Sequence, residues 1–178
     1  MAYKIVLDAG HGGANPGATF EGRQEKDDTL ALTLALGEIL TNSGFDVIYT
    51  RTEDVFESPY QKAQEANQAG ADLFISIHRN SSLYPETYAG VETLVYEDSG
   101  IAATLARNIN SELEKIGFNN IGVSERPNLI VLNSTNMPSV LLEVGFINTA
   151  YDNELFDTRF DDIAMAIADG VVGTVYGY

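Results

Sequence analysis

Apolar positions along the 178-residue chain fall into two alternating rhythms. Short runs at 5–7, 45–50, 73–77, 90–96, 129–132 and 139–144 are rich in Ile, Val and Leu and bounded by polar or glycine-containing stretches, the pattern of strands. Between them the spacing switches to that of helices. Leu30, Leu32, Leu34, Leu36, Ile39 and Leu40 mark a helix that begins near Asp27 or Asp28 and ends at Gly44. Ser58-Pro59 opens a second helix with N-cap and N1 residues in order, and Gly70 closes it. Ile101, Leu105, Ile109, Leu113 and Ile116 predict a third over 100–115, and Phe160, Ile163, Ile167, Val171 and Val175 a C-terminal one. Segments 81–88 and 118–128 read as loops, and 133–138 as a turn. With no internal repeat and no low-complexity linker, the alternation predicts a single α/β domain over 1–178, in three layers with helices on both sheet faces.

Two of these strands run directly into a histidine, and the chain has only two. Residues 5–7 lead into Asp8-Ala-Gly-His-Gly-Gly13, a glycine-rich turn carrying His11, and residues 73–77 lead into His78-Arg-Asn-Ser81. Open α/β sheets place their chemistry at the downstream ends of strands, so parallel neighbours would bring both imidazoles together, an arrangement suited to zinc. Taken singly, His11 is equally well a turn histidine satisfied by hydrogen bonds. Glu25 stands just ahead of the first helix, where the helix dipole favours the ionised form a metal ligand needs; its plainer reading is an exposed charge in the loop 21–28.

Glu143 is the acid the pattern explains least, because Val140-Leu-Leu142 precedes it and Val144-Gly-Phe146 follows. A carboxylate there is buried or lines a cleft, and needs compensation. A buried ion pair would serve, yet none of the ten Lys and Arg residues sits within a buried-strand pattern.

Composition narrows the classes. There is no cysteine, so a zinc site must be built from histidine and carboxylate. A net charge of −16 argues against nucleic-acid binding, which rests on a basic footprint. No apolar run approaches a membrane span, and the first residues enter a strand without the basic and apolar regions of an export signal.

Read together, these residues resemble the zinc-dependent N-acetylmuramoyl-L-alanine amidases of the autolysin and phage endolysin type, over essentially the whole chain. Leu7-Asp-Ala-Gly-His-Gly-Gly13 with Pro16-Gly-Ala18, Glu25-Lys26, Ala71-Asp-Leu-Phe-Ile-Ser-Ile-His-Arg-Asn80 and Met137-Pro-Ser-Val-Leu-Leu-Glu-Val-Gly-Phe-Ile-Asn148 match the family's motifs in order and spacing. The resemblance implies a mixed, mostly parallel sheet of about six strands. It implies one zinc ion per chain held by His11, Glu25 and His78, with Glu143 as catalytic acid/base. The implied reaction is hydrolysis of the amide between N-acetylmuramic acid and L-alanine in peptidoglycan.

Asn15 and Arg79 depart from the usual motif, at positions where aspartate and a smaller residue are common. Arg79 is therefore a candidate for placing a positive charge near the cleft, and Asn80 and Arg126 are further candidate substrate contacts. Solvated charge and turn capping are the plainer readings of Arg126 and Asn80. A monomeric catalytic domain is expected, alone or joined to a separate wall-binding module. It would act at the bacterial cell wall, either as an endolysin held in the cytoplasm before release or as the excised domain of a secreted autolysin. Two other readings compete: a zinc peptidase cutting within the stem peptide, and a wall-binding module without catalysis.

Overall fold

The computed structural model describes residues 2–177. In chain order the elements are β1 (Lys4–Ala9), β2 (Thr19–Phe20), β3 (Arg23–Gln24), α1 (Glu25–Asn42), β4 (Asp46–Tyr49), α2 (Pro59–Ala69), β5 (Leu73–Asn80), β6 (Val91–Val95), α3 (Gly100–Lys115), β7 (Asn120–Glu125), α4 (Ile130–Asn133), β8 (Ser139–Phe146), α5 (Ala150–Thr158) and α6 (Phe160–Tyr176). Six strands form one sheet in the order β4-β1-β5-β8-β6-β7. Strands β4, β1, β5 and β8 run parallel, whereas β6 pairs antiparallel with β8 and carries β7 parallel to itself. The expected mixed, mostly parallel sheet is therefore present.

Side-chain alternation divides the sheet into two faces. Ile5, Leu7, Ile75, Ile77, Val140 and Leu142 point to one face and pack with Leu32, Leu36 and Leu40 of α1, Ile109 and Leu113 of α3, and Ile163, Ile167 and Val171 of α6. Val6, Phe74, Leu94 and Leu141 point to the other, under Ala66 of α2 and Val131 and Leu132 of α4. The second face is covered over only part of its length. The strand positions that continue it, Asp8, Ser76, His78, Glu92 and Glu143, are polar.

Helix α2 ends as its sequence dictates. Ser58 Oγ accepts from the Gln61 amide, the Gln61 side chain accepts from the Ser58 amide, and Gly70 takes the left-handed conformation.

Three expectations are corrected. Residues 118–128 are not all loop, because β7 forms there as a half-exposed edge strand with no fully buried position and no apolar run. Residues 129–132 do not form a strand: Leu129 caps the short helix α4, whose four-residue apolar run carries no periodicity that separates helix from strand. Helix α1 begins at Glu25 itself, after a two-stranded ribbon formed by β2 and β3. Helix α5, which lies between the strand and helix read in the C-terminal region, was not expected at all.

Candidate active site

The polar end of the covered-in-part face is assembled from four separate stretches. β1 leaves the sheet through Gly10 into His11, whose backbone adopts φ 63°, a left-handed conformation uncommon outside glycine. That turn is clamped from below. Arg51, which is buried, donates from Nε to the Ala9 carbonyl (3.1 Å) and from Nη2 to the carbonyls of Gly10 and Lys26 (2.9 Å each). Lys62 Nζ donates to the same Ala9 carbonyl at 2.7 Å and pairs with Asp8 Oδ1 at 2.6 Å. Asp8 also accepts from Thr50 Oγ1 (2.8 Å) and Ser76 Oγ (2.6 Å). Burial raises the Asp8 pKa, but Lys62 and Ser76 outweigh it and hold the carboxyl below its ordinary range. Asp8, Arg51 and Lys62 thus act as a buried scaffold under His11. The signal for Asp8 was present in the chain, an acid inside an apolar strand, as for Glu143.

Glu25 opens α1 directly beneath the two imidazoles. Its Oε2 lies 3.0 Å from His11 Nε2 and its Oε1 lies 3.0 Å from His78 Nδ1. Two backbone amides fix the same carboxylate: Ala18 donates to Oε2 at 2.8 Å and Arg79 to Oε1 at 3.0 Å. Burial opposes ionisation, but the bonds to both histidines prevail, so the carboxyl lies well below the usual carboxylate range. For His78, burial pulls the pKa down, and its hydrogen bond to Glu25 with the nearby Glu143, Glu25 and Asp8 carboxylates carries it above the ordinary value.

Close approach of backbone makes this convergence feasible. A methyl group at Gly10 would overlap the His78 ring, and one at Gly17 would lie 2.5 Å from Glu25 Oε2 and from His11 Cδ2. The two rings stand edge to face, with centroids 4.9 Å apart.

Donor atoms of His11, Glu25 and His78 all lie within 4.8 Å of one another, so the three side chains can hold a metal ion. The ligand atoms of a small tetrahedral divalent ion stand about 3.3 Å apart, given bonds of roughly 2.0–2.1 Å. The imidazole–carboxylate separations, 3.0 Å each to different oxygens of Glu25, are of that order, and the donor set of two imidazoles and one carboxylate suits zinc.

Glu143 faces this group. It is the register partner of His78 across β5 and β8, and of Glu92 across β6 and β8. Its Oε2 is buried and has no hydrogen-bond partner among the described residues. Burial pushes its carboxyl up to about 7, aided by Glu25 and Glu92 and opposed by His78. No lysine or arginine pairs with it among the described residues, so the ion-pair reading of this acid is not realised. Glu92 was not singled out in the sequence. It accepts from Ser124 Oγ and lies 3.5 Å from Asn80 Nδ2.

The remaining candidates separate. Asn80 and Arg126 line a cleft of about 500 Å³ together with His11, His78 and Glu143. The Asn80 side chain caps the Ser81 amide at 2.8 Å, and Arg126 donates to the neighbouring Glu125 carbonyl. Arg79 reaches the cleft with its backbone only: its side chain is 0% exposed. The guanidinium turns inward, bonding Asp28 Oδ2 and Asn153 Oδ1 at 2.7 Å each and lying 4.3 Å from the Phe156 ring centroid. The charge expected near the cleft is thus spent in the interior.

Relatives share both sequence and fold. The sporulation-specific N-acetylmuramoyl-L-alanine amidase of Bacillus subtilis (strain 168) is 40% identical over 174 residues, covering 94% of this chain and 66% of that protein. The endolysin of Bacillus phage SPP1 is 35% identical over 179 residues, covering 96% of this chain and 65% of its own. The chain thus spans about two thirds of the length of these curated relatives. Among solved structures, an N-acetylmuramoyl-L-alanine amidase from Clostridium difficile 630 superposes with a TM-score of 0.92 at 30% identity, covering 99% of this chain and 98% of that one. The catalytic domain of CwlV, an N-acetylmuramoyl-L-alanine amidase from Bacillus(Paenibacillus) polymyxa var. colistinus, gives 0.89 at 31% identity and 99% coverage of both. A sequence model described as N-acetylmuramoyl-L-alanine amidase matches residues 5–172, and by that match the chain belongs to the N-acetylmuramoyl-L-alanine amidase family.

Proposed function

We propose that this chain hydrolyses the amide between the lactyl group of N-acetylmuramic acid and the L-alanine of the stem peptide, as a zinc-dependent catalytic domain over 1–178 with one ion per chain. The observation that carries this reading is the convergence of His11, Glu25 and His78 opposite Glu143, whose buried Oε2 has no hydrogen-bond partner among the described residues. When bound, zinc supplies Lewis acidity that polarises the amide carbonyl and brings water within reach of deprotonation near neutral pH.

The chain supplies the rest. The amides of Ala18 and Arg79 pin the Glu25 carboxylate in place beside both imidazoles. Glu143, which lines the cleft beside the metal-ligand group, is placed to accept a proton from attacking water and to return it to the departing nitrogen. Low local dielectric around Glu143 favours such transfer over permanent ionisation. Asn80 and Arg126 are proposed contacts to the substrate in the cleft beside Glu143, and the working unit is a monomer that acts on the bacterial wall, alone or beside a wall-binding module. Among the described residues no helix is long and apolar enough to cross a membrane.

The test is digestion of purified peptidoglycan with the metal-loaded protein, with chelator, and with chelator followed by zinc. Loss and recovery of turbidity clearance, with stems released bearing a free L-alanine amino terminus, are the expected results. Products that retain L-alanine on muramic acid would instead identify a peptidase.

A further inference from the structure

Two hollows meet over the metal-ligand group. The larger is the cleft of about 500 Å³ beside Glu143. The smaller, about 330 Å³, opens between the N-terminal turn of α2 and residues 128–131. His11, His78, Leu129 and Leu141 line both, so the two hollows adjoin at the ligand group; Glu143 lines only the larger.

This asymmetry orients a scissile amide. Its carbonyl carbon must sit at the ligand group, while its nitrogen must face the proton donor as the C–N bond breaks. With Glu143 on one side alone, the nitrogen-bearing peptide enters the larger hollow and the acyl half passes into the smaller. The walls agree with that direction. Phe56, Pro59, Ile130 and Val131 make the smaller hollow largely apolar, and its buried Asp8–Lys62 pair is closed on itself at 2.6 Å. Phe56 is 52% exposed and Ile130 is 44% exposed at its edge, so both side chains are open to a ligand entering the hollow. An uncharged pyranose ring packs its C–H face on such surfaces, while Glu57, also in the lining, offers an acceptor to its hydroxyls. The larger hollow instead carries Asn80, Ser81 and Arg126, polar partners for a peptide backbone and its carboxylates.

We propose that the smaller hollow is the acyl-side subsite, taking the N-acetylmuramyl ring, and that Phe56 and Ile130 set the preference for glycan-linked over sugar-free substrates. The proposal rests on the amidase reading above.

The experiment uses the two product fragments, which the enzyme cannot cleave further. Isotope-labelled, metal-loaded protein is titrated with peptide-free N-acetylglucosaminyl-N-acetylmuramic acid and, separately, with free stem peptide beginning at L-alanine. The disaccharide is expected to shift the amide resonances of Phe56, Ile130 and Val131, and the peptide those of Ser81 and Arg126. The reverse assignment, or no response at Phe56 and Ile130 to millimolar disaccharide, overturns the proposal. As a second arm, Phe56→Ala is expected to lower several-fold the ratio of kcat/KM for a disaccharide-peptide to that for a lactyl-peptide without sugar; an unchanged ratio also overturns it. Failure of the amidase reading would show separately, as wild-type protein that frees no L-alanine amino termini from walls.

Discussion

Glu143 on β8 lies directly across from His78 on β5, and both side chains stand on the sheet face that the helices leave partly open. An acid whose folded value is raised destabilises the folded protein when it ionises. The penalty begins as pH climbs past the ordinary value of 4.5 and is complete above about 7. Glu143→Gln is therefore expected to stabilise the metal-free protein at about pH 8 by on the order of 2 kcal/mol, with the difference vanishing near pH 4. Urea unfolding at the two pH values checks this. The same variant, loaded with metal, is expected to keep its metal stoichiometry and lose at least a hundredfold in turnover, the contribution usual for a positioned acid/base.

Gly10 tests the convergence without touching a donor atom. Its φ is not in the left-handed region, so alanine meets no backbone penalty there; the obstacle is the His78 ring, which a methyl group would overlap. Gly10→Ala is expected to push His78 away from Glu25 and reduce bound metal to well below one per chain. Elemental analysis of purified protein reads the result. Gly173→Ala, where φ is likewise outside the left-handed region and no atom lies within 4 Å of the added methyl, serves as the comparison without a clash.

What the sequence displays and what it hides follow from how each feature is encoded. His11, His78 and Glu143 stand out because each interrupts or ends an apolar strand, and burial of a polar group needs a local reason. Glu25 gains its role only from tertiary contact, since the amides of Ala18 and Arg79 that fix it come from different segments. Strand β7 is hidden because an edge strand that is half solvated needs no apolar run, and α4 because four residues show no period. Arg79 misled because a formal charge suggests solvent, whereas Asp28, Asn153 and the Phe156 ring take it inside.

That internal placement makes Arg79 a stability residue. Arg79→Met removes a guanidinium bound to Asp28 and Asn153 and leaves Asp28 with Arg23 as its remaining ionic partner, at 2.7 Å. Because Arg23 still compensates Asp28, the expected loss is about 2–3 kcal/mol, at or below the lower end of what breaking a buried pair costs. It should register as a lowered thermal midpoint, with the Michaelis constant for a defined muropeptide held within about twofold. A large rise in that constant at unchanged stability would instead return Arg79 to the substrate-binding surface.

The buried Asp8–Lys62 pair gives the sharpest dependence on pH. Asp8 is 1% exposed and Lys62 3% exposed, and Lys62 is the partner that overcomes burial to hold Asp8 below its ordinary value. In the wild type, a lowered carboxyl contributes stability above the ordinary carboxylate range and loses it as pH falls through the folded value. In Lys62→Met the sign reverses: Asp8 keeps the Thr50 and Ser76 hydroxyls and the weaker influence of His78, burial prevails, and the carboxylate is penalised as pH rises. The variant is expected to be destabilised by about 3–5 kcal/mol at neutral pH and by clearly less near pH 4, where Asp8 takes up a proton. Adding Asp8→Asn removes the stranded charge, so the double variant is expected to regain much of the neutral-pH loss. Denaturant titrations of both variants at the two pH values measure it. Because Arg51 Nε still donates to the Ala9 carbonyl, the turn that carries His11 keeps one of its two clamps, and the rescued double variant is expected to bind metal.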